Sequence, residues 1–159
     1  MSLRIHNTLT NSLEEFKPIE PGRVRMYVCG VTVYDDIHMG HARSMIVFDM
    51  VARYLRYREY EVTHVTNFTD VDDKIIARAA QEGVEPLELS ARYIQRYFED
   101  SARLGINRAD LYPKASECIG DIISMVQRII DNGYGYAAPD GSVYFDVSKV
   151  EDYGRLTNQ

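Results

Sequence analysis

Two neighbouring stretches decide the fold: Arg23-Val24-Arg25-Met26-Tyr27-Val28-Cys29-Gly30 and, after a short loop, His38-Met39-Gly40-His41. In the first, Val24, Met26 and Val28 alternate with other residues and share one face, which is the period-two pattern of a strand. Gly30 closes the run, and a polar and aromatic loop from Val31 to Ile37 leads to the tetrapeptide. Beyond it Phe48, Val51, Ala52 and Leu55 recur at spacings of three and four, so the tetrapeptide opens a helix. A second β-rich run from Glu61 to Asn67 ends in Phe68-Thr69-Asp70, and the pattern predicts a further helix over 72–83. Strands alternating with helices of this length predict an α/β architecture, with a parallel sheet and right-handed crossovers.

Working outward, Leu87, Ala91, Ile94 and Phe98 form one stripe of a helix that runs from Pro86 to Gly105, with Tyr93 and Tyr97 at its edge. After a break at Leu111-Tyr112-Pro113, Ile119, Ile122, Ile123, Val126, Ile129 and Ile130 predict an amphipathic helix ended by Gly133. Asp140-Gly141, set before Ser142-Val143-Tyr144-Phe145-Asp146, predicts a hairpin. The first 23 residues mix polar positions with Pro18, Pro21 and Gly22. The change of pattern after Pro113 places the expected boundary between a region 1–112 and a region 113–159 made of helix plus hairpin.

Composition narrows the function. The 159 residues are 45% hydrophobic and 26% charged, as in an ordinary globular domain, and the net charge of -6 argues against a purely electrostatic nucleic-acid binder. No apolar run is long enough to span a membrane, and Arg4, Glu14, Glu15, Lys17 and Glu20 exclude a signal-peptide core. Two cysteines, Cys29 and Cys118, form neither a disulfide framework nor a metal-finger spacing, so a reduced, cytoplasmic protein with no membrane partner is expected.

The chemistry is expected at the strand end and helix start. In open α/β sheets ligands bind beyond the carboxyl ends of strands. There a helix N-terminus offers unpaired N–H groups and a partial positive charge to phosphates. Gly40 lets a flat base or sugar approach the backbone, and His38 and His41 share a side and can both donate to phosphate oxygens. From spacing alone, two surface histidines at a helix start remain an equal alternative. The other candidates have plainer readings. Cys118 is a partly buried structural thiol. Asp70, Asp72 and Asp73 serve as cap and charged first turn in preference to a magnesium site. Asn67-Phe68-Thr69 matches a glycosylation sequon that has no secretory context. His6 and His64 are surface or strand-packing residues, and Arg53, Arg56 and Arg58 form a solvated helix end.

Set between Tyr27-Val28-Cys29-Gly30 and Asn67-Phe68-Thr69-Asp70-Val71-Asp72-Asp73-Lys74, the tetrapeptide resembles the HIGH signature of class I aminoacyl-tRNA synthetases, in the form found in cysteinyl-tRNA synthetases. Asn7-Thr8-Leu9-Thr10, Phe48-Asp49-Met50-Val51-Ala52-Arg53-Tyr54-Leu55 and Tyr144-Phe145-Asp146-Val147 are also similar to that family, so the resemblance covers nearly the whole chain. It implies a Rossmann-like parallel sheet with a HIGH-type nucleotide site in its N-terminal half, over 1–112, followed by the start of an inserted α+β connective domain, over 113–159. It also implies ATP-dependent activation of cysteine to cysteinyl-adenylate and transfer to tRNA(Cys). His38 and His41 would be catalytic, with His38, Gly40 and His41 holding ATP. Gly30, Thr32 and Thr69 would lie around the amino acid. Cys29 would be the first protein ligand of one zinc ion that binds the substrate thiolate, a soft partner that zinc prefers to a hydroxyl.

Departures bound that expectation. Lys17, Lys74, Lys114 and Lys149 include no KMSKS-like setting, and Cys29 has no partner at metal-ligand spacing. The family's remaining zinc ligands, KMSKS loop and most tRNA contacts are not found here, so the 159 residues alone are expected to be inactive. Two alternatives stay open: a mycothiol-pathway ligase joining cysteine to an amino sugar, against which Lys74 argues, and a non-catalytic nucleotide-binding module derived from a synthetase.

Overall fold

The computed structural model describes residues 2–157. Along them run β1 (Arg4–Asn7), β2 (Ser12–Glu15), β3 (Arg23–Thr32), α1 (Met39–Tyr57), β4 (Glu61–Thr69), α2 (Asp73–Glu82), α3 (Pro86–Arg103), a 3-10 turn (Ala115–Cys118), α4 (Ile119–Asp131), β5 (Gly135–Ala137), β6 (Val143–Phe145) and a last 3-10 turn (Val147–Lys149). Pro18–Cys118 is one compact unit, and the described residues of Met1–Lys17 and Ile119–Gln159 make the other. Among the described residues no helix is long and apolar enough to cross a membrane.

The first unit is built on β3 and β4, which pair in parallel across the α1 crossover and so bear out the α/β reading. Val24, Met26 and Val28 turn inward on β3, while Arg25, Tyr27 and Cys29 are exposed. Gly30 does not close the strand, as the sequence suggests, for pairing resumes at Val31↔Phe68 and Thr32↔Thr69. Between Val28 and Val31 the register shifts, leaving Cys29 and Gly30 opposite the single residue Asn67. This is a bulge, and only glycine fits it: a Cβ on Gly30 would lie 1.6 Å from the Asn67 carbonyl oxygen.

The other edge of β4 is covered by the segment read as a break. The Thr66 and Phe68 N–H groups donate to the carbonyls of Leu111 (3.1 Å) and Pro113 (2.9 Å), so 111–114 runs beside β4 in the manner of a third strand. Proline is tolerated there because only its carbonyl is needed.

The core centres on Val33, Phe68, Ile75, Ala79, Leu89, Tyr93 and Tyr97. The α3 stripe therefore differs from the expected one: Leu89, Tyr93 and Tyr97 are buried, whereas Leu87 and Ala91 are exposed. Aromatic packing decides it. Phe68 meets Tyr97 edge-on at 5.0 Å and stacks on Tyr112 at 5.2 Å, so the helix turns its tyrosines toward β4. On α1 the exposed ring of Phe48 yields the buried position to Asp49, whose carboxylate accepts from Arg53 Nε (2.8 Å) and the Asn107 N–H (3.3 Å). Arg53 also reaches the Gly105 carbonyl (2.6 Å) and Arg56 the Asp110 carboxylate (2.9 Å). These two are ties to 105–110, not the solvated helix end expected of them. Arg58 is bonded to the Tyr54 hydroxyl (3.2 Å).

Asp72 caps α2 through the Lys74 N–H (2.8 Å), and Gly83 ends the helix in the left-handed region. Asp70, expected to share in the cap, is instead buried and accepts from the Ser116 N–H (2.8 Å) and hydroxyl (2.5 Å). In the second unit β1 and β2 form an antiparallel hairpin that the sequence reading missed, its turn using Asn11 at φ 51° and an Asn7 side chain that accepts from the Leu9 N–H. The α4 helix ends at Asp131, with Gly133 at φ 80° in the turn just beyond it, and β5 and β6 pair as the expected hairpin. Cys118 is half-buried and free, at the end of the 3-10 turn instead of within a helix.

Gly30→Ala is expected to destabilise the fold by about 3 kcal/mol or more, because the new methyl meets backbone that cannot yield without parting the strands. Urea denaturation checks it, and a loss below about 1 kcal/mol would show that the bulge can open.

His64 is buried on β4, and its Nε2 has no hydrogen-bond partner among the described residues. Burial holds its pKa below the usual 6.5, helped by Arg56 and opposed by Asp110 and Asp49. The depressed folded value means that the unfolded chain binds the extra proton first, so this contribution to stability is complete above about pH 6.5 and is lost as pH falls through the folded pKa. The urea midpoint should therefore fall between pH 7.5 and 5.5. In His64→Phe, which has no proton to gain there, the drop should be smaller; an equal drop would exonerate His64.

Candidate functional site

At the carboxyl ends of β3 and β4, Thr32 and Thr69 face each other in register, and the Val33 N–H donates to the Thr69 carbonyl (3.2 Å). The chain then crosses to α1 through 33–37, pinned by Val33 in the core and by an Asp36–Arg96 ion pair at 2.7 Å. This delivers His38 to the N-cap position of α1.

The two histidines form the cap themselves. His38 Nδ1 accepts from the Gly40 N–H (3.0 Å), and His41 Nδ1 accepts from the His38 N–H (3.2 Å), a reciprocal arrangement of the capping-box kind. Their rings stack at 3.8 Å. With both Nδ1 atoms accepting, each neutral ring carries its proton on Nε2, so each offers one N–H donor beyond the cap. Some of the helix-end N–H groups expected to be open to an anion are thus occupied by imidazole. Partial burial, then the neighbouring His38, lowers the His41 pKa, so its neutral form is the one favoured at neutral pH. Gly40 has a local reason to lack a side chain, since a Cβ would sit 2.9 Å from His38 Cε1.

Cys29, Gly30, Gly40 and His41 line one cavity of about 120 Å³ between β3, β4 and α1, which also reaches the buried residues Asp49 and His64. His38, Thr32 and Thr69 are not in its lining. The Cys29 thiol is free and exposed, with the Gly30 carbonyl at 3.8 Å as a weak acceptor. Among the described residues no group of three or more His, Cys, Asp or Glu could hold a metal ion. Zinc in either a structural or a catalytic role takes three or four protein ligands, so the residues present do not make a zinc site on their own.

Asn67, passed over in the sequence as a sequon, stands at the centre of this geometry: its Oδ1 accepts from the Gly30 N–H (2.9 Å) and the Tyr27 hydroxyl (2.8 Å). A polar amide in a β-rich run, paired against a strand that contains glycine, was the available signal.

Comparison with known proteins matches residues 15–159 to the family described as "tRNA synthetases class I (C) catalytic domain". A cysteine--tRNA ligase of Geobacter metallireducens is 54% identical over 159 residues, which are 100% of this chain and 33% of that protein. One of Clostridioides difficile is 52% identical over 157 residues, 99% of this chain and 34% of that protein. The chain therefore spans about a third of the length of these curated relatives. Among solved structures, Mycobacterium tuberculosis methionyl-tRNA synthetase in complex with methionyl-adenylate matches with a TM-score of 0.61 at 22% identity, over 77% of this chain and 26% of that one, a likeness of fold. The α/β unit, with paired strands that end beside a histidine-capped helix, lies within a chain matched over nine-tenths of its length by one family: the chain belongs to the class I (C) tRNA synthetase catalytic-domain family.

Proposed function

We propose that the chain is the N-terminal part of a cysteine–tRNA ligase, which activates cysteine with ATP and transfers it to tRNA(Cys). The observation that carries this reading is identity of 52–54% across essentially the whole chain to proteins bearing that name. The relatives described above share it, which favours the synthetase over the amino-sugar ligase and over a non-catalytic module. In this reading 1–112 is the first half of a Rossmann-like nucleotide-binding domain, 113–159 begins a connective insertion, and the protein works in the cytoplasm.

The chemistry follows from the residues. The cysteine carboxylate oxygen forms a bond to the α-phosphorus of ATP as the bond to the β-phosphate oxygen breaks, and pyrophosphate leaves. Nothing here needs a covalent enzyme intermediate, so the site works by positioning and by stabilising charge. His38 and His41 direct their Nε2–H donors to the phosphate chain, and Gly40 keeps the helix start open. Gly30, Thr32 and Thr69 surround the amino acid at the ends of the paired strands. Cys29 would give one thiolate to a zinc ion, whose other ligands this chain does not supply.

The test is cysteine-dependent exchange of pyrophosphate into ATP by the full-length protein; its absence there would overturn the reading. The isolated 159 residues should show no such exchange and should purify without stoichiometric zinc. One zinc per chain, retained through dialysis and lost on mutating Cys29, would reveal a complete site within them. In the full-length protein, His41→Ala should lower the adenylation rate by roughly 10²-fold or more, the scale of losing one preorganised donor, with little change in cysteine binding. An unchanged rate in stopped-flow adenylation would return His41 to a capping role alone.

A further inference from the structure

The bulge and the site share one side chain. Asn67 is the residue that Cys29 and Gly30 jointly face, and its Oδ1 takes the Gly30 N–H at 2.9 Å. That N–H has lost its place in the parallel ladder, and the side-chain amide replaces the missing carbonyl. Since Gly30 N–H and Tyr27 hydroxyl both turn toward one atom, and a backbone N–H can only donate, the amide has one orientation: oxygen toward β3, nitrogen away. Its Nδ2 then donates, at a long 3.4 Å, to Thr69 Oγ1. A hydroxyl that accepts from Asn67 keeps its own hydrogen to donate elsewhere.

We infer that Asn67 is a positioning residue for the amino-acid end of the site: it holds the Cys29–Gly30 protrusion in place and sets the Thr69 hydroxyl as a donor toward a bound amino acid. The inference rests on the reading given under Proposed function. Gly30 and Thr69, on separate strands, are tied through one amide, so a change at Asn67 disturbs both at once while leaving the capping histidines on α1 untouched. The effect should fall on the amino-acid substrate and spare ATP.

Two variants separate the parts. Asn67→Ala removes every partner. Asn67→Asp keeps acceptors for Gly30 and Tyr27 but turns the Thr69 hydroxyl inward, because a carboxylate can only accept. By amide hydrogen exchange on the chain, Gly30 should stay protected in the wild type and in Asn67→Asp, and exchange roughly tenfold faster or more in Asn67→Ala. In the full-length protein both variants should raise the KM for cysteine by roughly tenfold, with the KM for ATP changed less than about twofold. Should Asn67→Ala not accumulate as folded protein, Asn67→Asp decides alone. Unchanged cysteine KM in Asn67→Asp, with wild-type exchange activity present, overturns the positioning role and leaves the ligase reading intact. Equal losses toward cysteine and ATP also overturn it, as the mark of general damage. A wild-type full-length protein without cysteine-dependent exchange overturns the ligase reading and this inference together.

Discussion

The contact between Gly30 and the Asn67 carbonyl is the constraint from which the rest of the first unit follows. Two parallel strands with uninterrupted pairing would carry Cys29 in register and leave no room for a change of course. Because β3 holds one residue more than β4 across this point, the ladder slips, an N–H is left over, and β4 supplies a side chain to meet it. Pairing then resumes for two residues, long enough to place Thr32 beside Thr69 before the chain turns toward α1. Strand ends, crossover loop and helix start are thereby fixed relative to one another by backbone geometry, with little asked of the exposed ion pairs around them.

The α/β order was legible in the sequence because it rests on periodicity, and periodicity reports which face is buried. The β3 and β4 runs, the α2 boundaries at Asp72 and Gly83, and the hairpin at Asp140-Gly141 all carry strong local signals. What escaped was set by partners distant in sequence. Tyr93 and Tyr97 read as a stripe edge because amphipathic helices usually bury aliphatic residues, and only the rings of Phe68 and Tyr112 make the tyrosine face the better one to cover. Asp70 reads as part of a helix cap and Asp49 as one position in a family-like run, yet both are buried because Arg53, Asn107 and Ser116 satisfy their carboxylates. At the candidate site, His38, Gly40 and His41 could be found by motif. The bond that each Nδ1 makes could not, since it depends on how the chain enters the helix.

Family membership and site geometry address different questions. The match over 15–159 fixes what kind of domain this is, and the α/β unit agrees with it. Residue roles are a finer matter, and here the geometry adds what similarity alone does not. Gly30 is demanded by a neighbouring backbone carbonyl, and at Gly40 a side chain would press on the ring of His38, so each glycine has a structural reason to be present before any ligand is considered.

The stacked imidazoles have one more implication. Rings 3.8 Å apart whose Nδ1 atoms both accept bonds at the helix end are locked in one relative orientation. The pair is therefore a source of two N–H dipoles whose directions are fixed by the helix end. A lysine pair at the same positions would attract an anion more strongly at long range but could not hold its donors in one direction, and it would leave the helix start uncapped.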